Sequence, residues 1–174
     1  MKKIFPFQVL IILMSFQSIS QTADFNQKVH DAKSDTDILI GYCTRDSLQG
    51  ALFGEQFRKE YGAYKPDDDM MNYILRVPEK LKGVRVTIVM GTWCSDSQQQ
   101  VPRYFKLTDN LQIYGNTTII CVDRKKLAGN VSLGGMNIEK VPTFIFQRNG
   151  AELGRIIESP KISMERDFFD IIVK

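Results

Sequence analysis

Apolar positions fall into blocks along the chain, and the spacing within each block predicts its element. Residues 84–91, "VRVTIVMG", are rich in β-branched side chains and read as a buried strand. Residues 116–124, "NTTIICVDR", read the same way. Between them, Val101, Tyr104, Phe105 and Leu107 recur at helical spacing over 97–109, with Pro102 as an internal kink. "VPTFIFQRNG" is a third strand running into Asn149-Gly150, a hairpin turn, and "AELGRIIES" is its return strand. "SMERDFFDIIV" closes the chain as a helix. Upstream, Leu48, Leu52, Phe53, Phe57 and Tyr61 predict a helix from Thr44, ended by Pro66. One of Asp67, Asp68 and Asp69 caps a second helix carrying Met70, Met71, Tyr73, Ile74 and Leu75. Residues 38–42 are a short apolar stretch, and 21–35 read as a polar lead-in. The Gly-rich stretch "LAGNVSLGGMNIEK" is irregular, with at most a short helical turn. This order predicts an α/β protein with a mixed sheet, in which the first two of these strands are parallel across a helix.

The first twenty residues follow another rule. Lys2 and Lys3 precede "FPFQVLIILMSF", and Ser18 and Ser20 place small residues at alternate positions. That is the pattern of a signal peptide over residues 1–20. The apolar run is shorter than the roughly 20 residues of a membrane span. The expected mature protein is exported, periplasmic or secreted, with no stable membrane span after cleavage. Formal net charge is +3 over 174 residues, and two of those charges sit in the leader. No basic run interleaved with aromatics is present, so nothing asks for nucleic acid.

Export colours the three cysteines, Cys43, Cys94 and Cys121, since exported chains usually pair their thiols and an odd count leaves one over. Cys94 stands where a strand gives way to a helix. Free N–H groups and the helix dipole at such a junction favour a thiolate, the nucleophilic form of cysteine. Trp93 shields one side, while Asp96 opposes a nearby negative charge or serves as first-turn acid. Cys121, inside an apolar run, reads as a core thiol. Cys43 is a possible resolving thiol for Cys94, or a disulfide partner of Cys121. His30 is the only histidine, too little for a zinc site or a Cys-His hydrolase. The aspartate run reads as a solvated cap, and the sequons at Asn116 and Asn130 as chance. Nothing calls for a metal or cofactor.

Three separated features resemble the thioredoxin superfamily. Trp93-Cys94-Ser95-Asp96-Ser97 is similar to its W-C-x-x-C loop. Pro102 falls where its long helix carries a kinking proline. Val141-Pro142-Thr143 matches the loop whose cis-proline faces the active cysteine. Asp123, closing the second strand, also fits, and "GTWCSDS" resembles exported thioredoxin-like proteins with a C-x-D-S loop. The resemblance implies a thioredoxin-like three-layer fold over 81–174, a mixed central sheet flanked by helices, with 21–80 as an added N-terminal helical segment. It implies that Cys94 attacks disulfides, that Trp93 borders the groove, and that Val141, Pro142 and Thr143 bind substrate. Ser97 stands at the position of the resolving cysteine, and Ile88 at that of a buried acid which assists it. A serine forms no S–S bond, so the expected activity is monothiol exchange on disulfide- or thiol-containing proteins or small thiols, completed by an external thiol reductant. The alternative is a redox-inactive module that binds peptides in the groove beside Pro142.

Overall fold

Each expected strand after residue 80 forms: Val84–Met90, Thr117–Cys121 and Thr143–Arg148 bury residues on both faces of one sheet, and the last strand pairs along its edge. The computed structural model describes residues 24–50, 53–113 and 115–174, so the signal peptide expected over residues 1–20 lies outside the described residues, as does Leu52. In chain order the elements are β1 (Gln27–Asp31), β2 (Thr36–Cys43), α1 (Arg45–Gln49), α2 (Gly54–Ala63), α3 (Asp68–Leu75), α4 (Pro78–Leu81), β3 (Val84–Met90), α5 (Ser95–Asn110), β4 (Thr117–Cys121), β5 (Thr143–Arg148), β6 (Ala151–Ile157) and α6 (Met164–Ile172). The strands make one mixed sheet in the order β1-β2-β4-β3-β5-β6. β3 and β4 are parallel across α5, and the other neighbours are antiparallel.

Alternation along the strands divides the core in two. Val84, Val86, Ile88 and Met90 of β3 join Ile119 and Cys121 of β4 in one cluster, with Leu48, Phe57, Ile74, Val101, Tyr104 and Phe168 from the helices. Val89, Ile120, Val122, Ala128 and Val141 form the other. Its cover comes from Val131, Leu133, Met136 and Ile138, in the irregular segment between β4 and β5. This corrects the expected layering. The helices bury their apolar residues on one face of the sheet, and the layer opposite is a loop. Gly129 and Gly135 take positive φ there, as does Asn137, so the backbone turns repeatedly instead of winding a helix.

The N-terminal third also differs from expectation. The polar lead-in is a β-hairpin: β1 pairs β2 along its length, and Gly41, Tyr42 and Cys43 of β2 pair with Cys121, Ile120 and Ile119 of β4. β1 is exposed over most of its length, so it carried no apolar signal. The helix expected from Thr44 is two helices, α1 and α2, and they approach so closely that a Cβ on Gly54 would collide with the Gln49 carbonyl. Thr44 caps α1, and Asp67 caps α3 by accepting the Met70 N–H at 2.8 Å; such a cap stabilises by about 1 kcal/mol. Asp109, at the end of α5, gathers these helices. It accepts both guanidinium nitrogens of Arg45 at 2.8 and 2.6 Å and the Tyr61 hydroxyl at 2.6 Å. Asn149 and Gly150 both take positive φ in the β5–β6 turn, as a tight hairpin requires.

Candidate functional site

β3 ends at Met90, and the backbone then turns through Gly91, Thr92 and Trp93 before α5 begins. Gly91 cannot carry a side chain: a Cβ there would lie 2.6 Å from the Trp93 indole. The indole therefore lies against the backbone of the strand end, and its Nε1–H donates to the Val122 carbonyl at 2.8 Å. Thr92 is buried, and its hydroxyl accepts the Leu39 N–H at 3.2 Å, which fastens the loop to β2. Gln98 donates to the Thr92 carbonyl at 2.7 Å. These bonds fix the turn from three sides.

Cys94 is the N-cap residue of α5, with extended backbone and no capping bond from its own side chain. Its N–H donates to the Gly91 carbonyl and its carbonyl accepts the Gln98 N–H, both at 3.0 Å. The half-buried thiol donates to the Val141 carbonyl at 3.2 Å. The Val141–Pro142 peptide bond is cis. Thr143 is buried, and its hydroxyl donates to the Lys140 carbonyl at 2.7 Å, closing the same loop. The Pro142 carbonyl accepts the Glu158 N–H at 2.7 Å. Trp93, Cys94, Val141 and Pro142 thus converge, from segments far apart in the chain.

Ser97 lies elsewhere than a surface group beside the thiol would. It is fully buried, and its hydroxyl accepts the Gly91 N–H at 3.2 Å. That bond satisfies a donor at the end of β3, so the serine holds the loop in shape. Cys43 is also placed away from Cys94, which corrects the expectation of a resolving thiol. It ends β2 in the helix-side core, 4% exposed, whereas Cys94 packs against the other cluster. Its neighbour is Cys121, and both are free thiols. A hydrogen bond with Cys43 and burial push the Cys121 thiol well up.

Two residues of the site escaped the sequence reading. The Arg124 guanidinium lies 4.8 Å from the centre of the Trp93 ring, stacked over it. Asp31, the last residue of β1, holds that guanidinium through Nε at 3.0 and 2.9 Å and Nη2 at 2.7 Å. Arg124, with Ser34 assisting, holds the Asp31 carboxyl well below the usual carboxylate range. The available signal was Arg124 at the end of a buried strand, where side chains reach the rim of a sheet. Asp31 gave none, because it sat in a segment without apolar pattern. On the Val141–Pro142 side, Lys140 pairs with Glu158 at 2.6 Å, and both are well exposed.

Among the described residues no three His, Cys, Asp or Glu side chains are grouped as metal ligands would be, and no helix is long and apolar enough to cross a membrane. No family model matches the sequence, and no curated protein matches it. Among solved structures, the chain is similar to a protein of unknown function from Pseudomonas aeruginosa, known from a 1.5 Å crystal structure; the two are 14% identical, the match covers 68% of this chain and 79% of that one, and the TM-score is 0.48.

Proposed function

We propose that this chain is an exported thioredoxin-like protein that exchanges disulfides through the single thiol of Cys94. The observation that carries the reading is the 3.2 Å approach of Cys94 Sγ to the Val141 carbonyl. Two motifs singled out by sequence, 47 residues apart, meet at that contact. The order β4-β3-β5-β6, with one parallel pair and two antiparallel ones, supports it as well. So does Pro102 inside α5.

In the proposed reaction the Cys94 thiolate attacks one sulfur of a substrate disulfide. A bond forms between Cys94 Sγ and that sulfur, the substrate S–S bond breaks, and the second sulfur leaves as a thiolate. Ser97 cannot release the product, since it is buried and forms no S–S bond. A second thiol, from an external reductant or from the substrate's own departed cysteine, attacks the mixed disulfide and restores Cys94. The first outcome is net reduction, and the second is isomerisation.

Cys94→Ser tests the reading. Wild-type protein mixed with a disulfide-bearing peptide is expected to form a reducible adduct at Cys94 and to exchange it with added thiol. The Cys94→Ser variant is expected to do neither. Capture of the peptide by both proteins, unaffected by reductant, would overturn the redox reading in favour of a peptide-binding module built on the groove beside Pro142.

A further inference from the structure

Strand β1 ends on Asp31, whose carboxylate holds Arg124. Arg124 in turn is stacked on Trp93, the residue next to Cys94 in sequence. Its Nε and Nη2 are taken by Asp31, while among the described residues Nη1 makes no hydrogen bond. The Arg124 side chain keeps 29% of its surface, against 9% for Asp31. The guanidinium is thus held by a recessed carboxylate and keeps Nη1 without a hydrogen-bond partner among the described residues. Other charges nearby are placed differently. The Asp123 carboxylate is occupied by the Lys125 and Leu127 N–H groups at 2.8 Å each. Lys140 is paired with Glu158, and lies within electrostatic reach of Asp96.

We propose that Arg124 is an anion anchor for substrates at Cys94, that Asp31 sets how much of its charge a substrate meets, and that the preferred substrates are disulfides carrying a carboxylate close to the sulfur. This rests on the redox reading above. Three observations converge on it. The cation is fixed by a stacked ring and a bidentate ion pair, so a substrate carboxylate meets it with little ordering left to do. Its pairing nitrogens are those turned toward Asp31, which leaves Nη1 for a further acceptor. Cys94 lies within electrostatic reach of the guanidinium: Asp31 is the main cause that raises Arg124, and Cys94 contributes in the same direction. A guanidinium there favours an anionic disulfide over a neutral one of similar size. Asp31 partly cancels that preference, so the hairpin tunes a reaction that takes place on another part of the sheet.

The test compares two reagents, the dianionic dithiobis(nitrobenzoate) and the uncharged dithiodipyridine, at neutral pH. Each reacts with one thiol by forming a mixed disulfide and releasing one thiolate, so no other oxidant is required. The ratio of their rate constants removes any change in Cys94 nucleophilicity itself. Arg124→Gln is expected to lower the anionic-to-neutral ratio about threefold, and Asp31→Asn to raise it about twofold, as local steering by one charge would. Both effects are expected to vanish near 1 M salt, where the screening length is about 3 Å; a purely structural role for either residue would not show that salt dependence. Arg124→Lys, which keeps the charge, is expected to retain most of the ratio. A ratio unchanged in both Arg124→Gln and Asp31→Asn overturns the proposal and leaves the redox reading standing. If Arg124→Gln does not fold, Asp31→Asn decides alone. A wild-type protein whose Cys94 reacts with neither reagent overturns the redox reading, and the anchor with it.

Discussion

At the start of α5 a thiol stands half-buried with one carbonyl partner, whereas between β2 and β4 two thiols lie in the core beside each other. The chemical group is the same, and the backbone around it decides what it can do. Cys94 ends a loop fixed by Gly91, Thr92 and Ser97, so its sulfur is presented without being engaged in the loop's own bonding. Cys43 and Cys121 are two ladder positions, diagonal across an antiparallel pair, since Cys43 faces Ile119 and Cys121 faces Gly41. On one face such diagonal residues are within reach of each other. They fill space against the helices, Cys121 with no exposed surface and Cys43 with 4%.

The sharpest way to break this contrast is to alkylate the native protein and locate the label by mass spectrometry. Cys94 is expected to react at once. Cys43 and Cys121 are expected to wait for opening of the core, at rates lower by more than about a thousandfold, because buried groups of the sheet become accessible only through openings that cost several kcal/mol. The raised Cys121 thiol adds to its inertness. Labelling of all three at similar rates would show that the two settings do not differ in solution.

A second experiment removes what presents Cys94. Gly91→Ala places a methyl group 2.6 Å from the Trp93 indole, so the ring must leave the Val122 carbonyl or the strand end must shift. A loss of about 1–3 kcal/mol in stability is expected, the usual range for overpacking a buried site. Chemical denaturation measures it, and Cys94 exchange should slow in the same variant. Cys121→Ala is the comparison for the buried pair. It removes one sulfur from the core and is expected to leave Cys94 exchange unchanged. Equal slowing in both variants would mean that the two regions are coupled.

The difference between the regions also explains what the sequence disclosed. Strands β3, β4 and β5 announced themselves through their buried runs, residues 88–90, 119–121 and 144–146, which are covered on both faces of the sheet. Helix α5 did so through Val101, Tyr104, Phe105 and Leu107, and Asn149-Gly150 marked the last hairpin. Trp93, Cys94 and Val141-Pro142 were legible as motifs. β1 was not, because an edge strand exposed along most of its length shows no alternation; its place follows only from pairing with β2. Asp31 was hidden with it. Arg124 was visible as a residue, but its stacking on Trp93 depends on two chain segments meeting. The separation of Cys43 from Cys94 depends on the register of β2 against β4, which no local pattern encodes. The sheet's second cover, the loop between β4 and β5, has glycines in place of a repeating apolar face.

The smallest effect concerns acid, and it separates the two regions by their carboxylates. Asp109 serves the buried side: the wall that Cys43 shares with Thr44, Arg45 and Phe105 includes it. Arg45 above all, with help from Tyr61, holds the Asp109 carboxyl below its ordinary range. A carboxyl depressed in the folded state stabilises fully above its unfolded value, about 3.9. That contribution fades as pH falls through the lower, folded value, because the folded protein must then take up a proton it would otherwise exclude. Stability is therefore expected to be flat from neutral pH to about 5 as far as this group is concerned, and to decline below about 4. Asp109→Asn removes the ion pair at all pH values. With the pair partly exposed, a loss of about 1 kcal/mol at neutral pH is expected, and a shallower decline in acid. Denaturation curves of the two proteins between neutral pH and acid measure both. The same variant loosens the anchor of α1, so Cys43 alkylation should speed up while Cys94 exchange holds. A variant that lost Cys94 exchange instead would place Asp109 in support of the α5 start, and the two thiol environments would then share one frame.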